Sequence, residues 1–155
     1  MQLPRNSLFP AAPLSPRRRL LRLLLSTCAL GAGLTVPPSL LQAQELPTGG
    51  VIAAGTGSIG TSGSTMTVTQ TSNQLITNWN SFSIGSGATV NFVQPGASSM
   101  ALNRVTGQDP SQILGNLNAN GQVFLINPNG IAIGASGRVQ TGAFVASTLG
   151  ITDSR

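Results

Sequence analysis

Gly63-Ser64-Thr65-Met66-Thr67-Val68-Thr69-Gln70 and Gly87-Ala88-Thr89-Val90-Asn91-Phe92-Val93-Gln94 follow one pattern: a leading Gly, alternation of polar and apolar side chains, and a closing Gln. Gly121-Gln122-Val123-Phe124-Leu125-Ile126 matches Gly142-Ala143-Phe144-Val145-Ala146-Ser147 in the same way, at a slightly shorter offset. Alternation with period two marks a strand that buries one face. A recurring unit of short strands and Gly/Asn turns fits a β-solenoid, in which each coil stacks on the one before it. A β-sandwich is the alternative that the same strands allow. Beyond these repeats, strands are expected at Leu75–Trp79, Met100–Val105, Gln112–Leu117 and Ile131–Ile133, with Gly, Asn, Pro and Ser between them. Glu45 to Gly63 reads as an extended segment or short strands and disfavours helix.

The composition supports stacking over a deep core. Ser, Thr, Asn and Gln make up well over a third of the chain that follows Ala43, and like residues stacked on successive coils can form hydrogen-bonded ladders. Phe and Trp are few, at five and one in the whole chain. Disorder goes with low hydrophobicity and high net charge, whereas this stretch is neutral and carries regular apolar bursts.

Charge and missing residue types narrow the function. Arg5, Arg17, Arg18, Arg19 and Arg22 precede every acid, and thereafter Arg104, Arg138 and Arg155 balance Glu45, Asp109 and Asp153. Nucleic acid is therefore not an expected partner, because its recognition needs clustered cations. With no His, no Tyr and Cys28 as the single cysteine, imidazole metal sites, Cys–His pairs and Ser-His-Asp triads cannot be assembled. No cofactor is expected. Glycoside hydrolysis calls for a carboxylate pair, and Asp109, preceding Pro110-Ser111, reads as a turn residue, so the chain is not expected to be an enzyme.

Arg17–Arg22 is followed by an uncharged apolar run from Leu23 to Val36 that Pro37-Pro38 ends. This run suits the apolar region of a secretory signal and falls short of the ~20 residues of a spanning helix. Residues 1–43 are expected to be a signal peptide, cut after Ala43, and residues 44–155 the exported domain. The arginine cluster also looks like a twin-arginine signal, but nothing downstream suggests a cofactor that would require export in folded form, so ordinary unfolded export is expected. Lipidation at Cys28 is disfavoured by Thr27 before it.

The densest motif is Asn127-Pro128-Asn129-Gly130-Ile131, directly after the apolar run Val123–Ile126. Pro128 presets φ for the second turn position, Asn129 tolerates the third, Asn127 can accept bonds from backbone N–H groups two residues on, and Gly130 is free in φ. On these grounds alone the motif is a turn. Together with Asn78-Trp79-Asn80-Ser81-Phe82-Ser83-Ile84, Asn103-Arg104-Val105, Thr141-Gly142 and Ala146-Ser147-Thr148-Leu149, it resembles the N-terminal secretion domain of two-partner secretion exoproteins, the filamentous-haemagglutinin-like adhesins, and looks closer to their high-molecular-weight adhesin branch. The resemblance spans about Gly57 to Asp153. It implies an all-β fold, a right-handed parallel β-helix with an N-terminal β cap, and a partner, an outer-membrane transporter whose periplasmic domains recognise the domain in extended form. It points to Asn127, Pro128, Asn129, Gly130 and Ile131 as a recognition element, with Asn103, Arg104, Asn78 and Trp79 as secondary candidates. The chain is expected to be exported through the periplasm to the cell surface or medium. No separate Asn-Pro-Asn-Leu motif accompanies these. The domain is expected to be incomplete at Arg155, so that any host surface ligand would be bound only through a missing C-terminal region. A self-assembling β-solenoid surface protein is the competing reading, motivated by uncharged Val123–Ile126.

Overall fold

Alternation at Thr65–Gln70 puts Met66, Val68 and Gln70 on one face and three threonines on the other, and that division becomes the inside and outside of a coil in the computed structural model, which describes residues 45–150. Two strands come first, β1 (Val51–Ala54) and β2 (Gly57–Ser62). The coils follow as β3 (Thr65–Gln70), β4 (Gln74–Trp79), β5 (Thr89–Val93), β6 (Met100–Val105) and β7 (Ser111–Ile113). They continue as β8 (Asn116–Ala119), β9 (Gln122–Ile126), β10 (Ile131–Ile133), β11 (Arg138–Gln140) and β12 (Ala143–Ser147). The signal peptide expected at residues 1–43 lies outside the described residues.

Three sheets form the walls. The first stacks β3, β5, β8 and β11, the second β4, β6, β9 and β12, and the third β7 and β10, preceded by a bridge from Ile84 to Ile113. Every coil-to-coil pairing is parallel. That excludes the β-sandwich, whose sheets are antiparallel. The two spacings in the sequence are coil registers: Thr65 lies beside Thr89, and Gln122 beside Ala143. Coil length varies, since the steps from Gln74 to its partner Met100 and from Thr89 to its partner Asn116 are both longer than these. The extra residues sit in corners, where length changes no register on the walls.

The segment before Thr65 runs backwards over the first coil. β1 pairs antiparallel with β4 and β2 antiparallel with β3, so the chain goes once around in reverse and turns at Gly63-Ser64 into the coiling direction. Leu46, Ile52 and Ile59 pack from this cap onto the core. It covers apolar side chains that an uncapped solenoid end would expose. The architecture is the right-handed parallel β-helix with an N-terminal β cap expected above.

Inside, side chains stack in columns. Met66, Val90 and Leu117 form one, Val68 and Phe92 a second, and Leu75, Ala101 and Val123 a third, all buried. Burying each Val or Leu contributes roughly 1.5–3 kcal/mol. The stretch Gln112–Leu117, expected as one strand, is instead two. Leu114-Gly115 forms a corner between β7 and β8, where both amides donate to the Ile84 carbonyl, at 2.7 and 3.0 Å. A Cβ at Gly115 would overlap the carbonyl oxygens of Gly85 and Ala88, so only glycine lets the backbones approach this closely.

Candidate functional site

The turn motif folds as its residue types dictate. Gly130 N–H donates to the Asn127 carbonyl at 3.1 Å, closing a four-residue turn, and Asn129 N–H donates to Asn127 Oδ1 at 3.0 Å. Gly130 has φ of 118°, a conformation essentially confined to glycine. The Asn127 side chain reaches beyond its own turn. It is fully buried, and its Nδ2 donates to the Asp109 carbonyl at 3.0 Å and to Ser111 Oγ at 2.9 Å in the preceding coil. Asn129 Nδ2 donates to the Gly107 carbonyl at 2.8 Å. The motif thus ties two coils at one corner. Pro128 and Asn129 are exposed, while Gly130 and Ile131 are half-buried and Ile131 pairs with Ser111.

The secondary candidates divide between inside and outside. Trp79 and Asn103 are interior: Trp79 Nε1–H donates to Asn103 Oδ1 at 3.0 Å, both residues are buried, and Trp79 meets Phe82 edge-on at 5.5 Å. Asn103 Nδ2 donates to the carbonyls of Ala101 and Phe124. Asn78 and Arg104 face outward as register partners, and Arg104 Nε donates to Asn78 Oδ1 at 3.1 Å. With Ile126 and Pro128 they line a cavity of about 320 Å³. Asn78, Arg104 and the proline of the motif, distant in sequence, therefore share one surface recess.

Beside that recess lies a feature that sequence reasoning did not isolate. Ile76, Leu102, Phe124 and Val145 form an apolar column up the outer face of the second sheet, the first three half-buried and Val145 44% exposed. The signal was present in the sequence. Met100–Val105 and Val123–Ile126 carry apolar residues at both parities, which the solenoid interior alone does not require.

Two carboxylates also line one recess. Glu45 and Asp109 line a cavity of about 260 Å³ with Ser81, Ser83 and Gln112, between the segment leading into the cap and the first two coils. Among the described residues no group of three or more His, Cys, Asp or Glu is placed to hold a metal ion.

Comparison with known proteins places this geometry. The chain is 42% identical over 106 residues to a heme/hemopexin-binding protein of Haemophilus influenzae, an alignment covering 68% of this chain and 12% of that protein. A second heme/hemopexin-binding protein of Haemophilus influenzae is 42% identical over 83 residues, covering 54% of this chain and 9% of its own length. The chain thus spans about a tenth of the curated relatives it matches. Among solved structures, the HMW1 secretion domain from Haemophilus influenzae superposes with a TM-score of 0.66 at 39% identity, covering 69% of this chain and 28% of that one. Residues 43–154 match the TPS secretion domain, and with that motif corner on a capped parallel β-helix the chain belongs to the TPS secretion domain family of two-partner secretion exoproteins.

Proposed function

We propose that this domain directs its exoprotein to a cognate outer-membrane transporter, whose periplasmic domains capture it as extended strands before the coils close, and that it is delivered to the cell surface or medium. The observation that carries this reading is the second sheet, whose strands β6 and β9 present apolar side chains on both faces. An extended segment of this kind pairs its backbone along a partner's sheet edge and fills pockets on either side with alternate side chains. Asn127, Pro128, Asn129, Gly130 and Ile131, with Asn78 and Arg104, adjoin those strands and set register in the recognised segment. Burial of Asn127 in the folded corner fits recognition ahead of folding. A secretion role requires no catalysis. Adhesion, or ligand binding like that named for the heme/hemopexin-binding relatives, belongs to the whole exoprotein.

The test is export of the full exoprotein co-expressed with its transporter. Leu102→Ser with Phe124→Ser should lower the secreted yield roughly tenfold, the equivalent of about 1.4 kcal/mol of recognition. Thr89→Ser, on the outer face of the first sheet, should leave it unchanged. Mass spectrometry of the secreted wild type should find an N-terminus near Gln44. Full export of the double variant, or export without the transporter, would sink the proposal.

A further inference from the structure

The outer face of the first sheet differs in chemistry from that of the second. Thr67, Asn91, Asn118 and Gln140 occupy one register row across four successive coils. They line an open groove of about 810 Å³, with Val93 and Thr141 also along it. No ionisable residue lines this groove.

The row is incompletely satisfied. Asn118 Nδ2 donates to Asn91 Oδ1 at 2.9 Å, which leaves the Asn91 amide donors and the Asn118 carbonyl oxygen without a partner among the described residues. The side chains of Thr67 and Gln140 make no hydrogen bond to another described residue. Thr67, Asn91 and Asn118 are half-buried, so these groups are held in place by the coils while open to the groove. Main-chain groups of the wall lie in its plane and pair from strand to strand, so a strand laid on this face finds no main-chain partners. Recognition must therefore use side-chain amides and hydroxyls. Along the axis they repeat at the inter-strand spacing of ~4.8 Å, close to the length of one sugar unit in an extended glycan. Val93, 50% exposed, offers an apolar patch for the C–H face of a ring.

We infer that this groove is a binding site for a linear, neutral, hydroxyl-rich glycan lying along the solenoid axis and read by Thr67, Asn91, Asn118 and Gln140. A neutral ligand follows from the uncharged lining, and a linear one from a row that crosses four strands in register. Polar neutral groups recognise hydroxyls by paired donation and acceptance, and an apolar ligand would leave these amides desolvated and unpaired.

The experiment is an NMR titration of the full chain with cellohexaose, and in parallel with an acidic oligogalacturonate of equal length. Saturable shifts confined to the Asn91, Asn118 and Gln140 side-chain amides are expected with cellohexaose. Thr67→Ala with Gln140→Ala, which removes no hydrogen bond between described residues, should weaken binding at least tenfold while thermal unfolding stays unchanged. Asn118→Ala should also weaken binding, with some loss of stability because it gives up the bond to Asn91, and Arg138→Ala, on the neighbouring row, should have no effect. Absence of a saturable shift at millimolar cellohexaose would overturn the inference, as would shifts located elsewhere. So would binding of the acidic oligomer alone, lost in Arg138→Ala.

Discussion

Asn127 and Asn129 are the same residue type in one motif, yet their side chains carry different loads. Asn127 has all its amide capacity engaged, donating to Asp109 and Ser111 and accepting from Asn129. Asn127→Ala should orphan buried partners and lower stability by roughly 1–3 kcal/mol, whereas Asn129→Ala, at an exposed position, should cost under about 1 kcal/mol. Chemical denaturation of the two variants side by side checks this, and equal losses would contradict the corner clamp. Gly130 is constrained by its φ, not by crowding, because an added Cβ would meet nothing nearer than Pro110 Cβ at 3.7 Å. Gly130→Ala should therefore cost roughly 1–3 kcal/mol despite the open space around the position. An unchanged melt for this variant would mean that residue 130 does not hold its positive φ.

Between one strand and the next, polar ladders hold the corners where sheets meet. Gln70 and Gln94, the closing residues of the two sequence repeats, are both buried, and Gln94 Nε2 donates to Gln70 Oε1 at 3.3 Å. Gln94 Oε1 accepts from Gly121 N–H, and Asn120 exchanges two side-chain bonds of 2.7 Å with the Gln94 backbone, continuing the wall past the end of β8. One inward column of the second sheet is less well matched. Thr77 and Asn103 are register partners, and Asn103 is satisfied by Trp79, while Thr77 Oγ1 is buried without a hydrogen-bond partner. Thr77→Val keeps the shape and removes that hydroxyl, so it should raise stability by roughly 1 kcal/mol. The single tryptophan, Trp79, reports the melt by fluorescence, and a destabilised variant would show that the hydroxyl is satisfied after all.

Along the stack of coils, stability passes from neighbour to neighbour. Strands β6 and β9 have a neighbouring strand on both sides, and Ala101, Val105, Val123 and Leu125 are buried. In the fourth coil Val139 and Phe144 are only partly buried and Val145 is 44% exposed, and Ile133, in the β10 wall of the third coil that no described strand covers, is 51% exposed. Hydrogen exchange on the full chain should therefore be slowest across β6 and β9 and faster through β10, β11 and β12, since array stability decays toward a less covered coil. Uniform protection in that measurement would mean the coils unfold as one block.

The all-β class, the registers that set Thr65 beside Thr89 and Gln122 beside Ala143, and the turn at Asn127–Gly130 were all legible in the sequence, because each rests on local chemistry: alternation, repeated Gln and Gly, and the conformational limits of Pro and Gly. The short β11 escaped that reading, since Val139 is its only apolar residue and three residues are too few for alternation to stand out. Other features emerged only with the coils assembled: the first two strands run backwards as a cap, Gln112–Leu117 breaks at a corner, and Trp79 and Asn103 lie inside while Asn78 and Arg104 lie outside. Period two divides a strand into faces without saying which face turns inward when both carry apolar or amide side chains. Stacking settles it, because a side chain's surroundings are supplied by residues a full coil away.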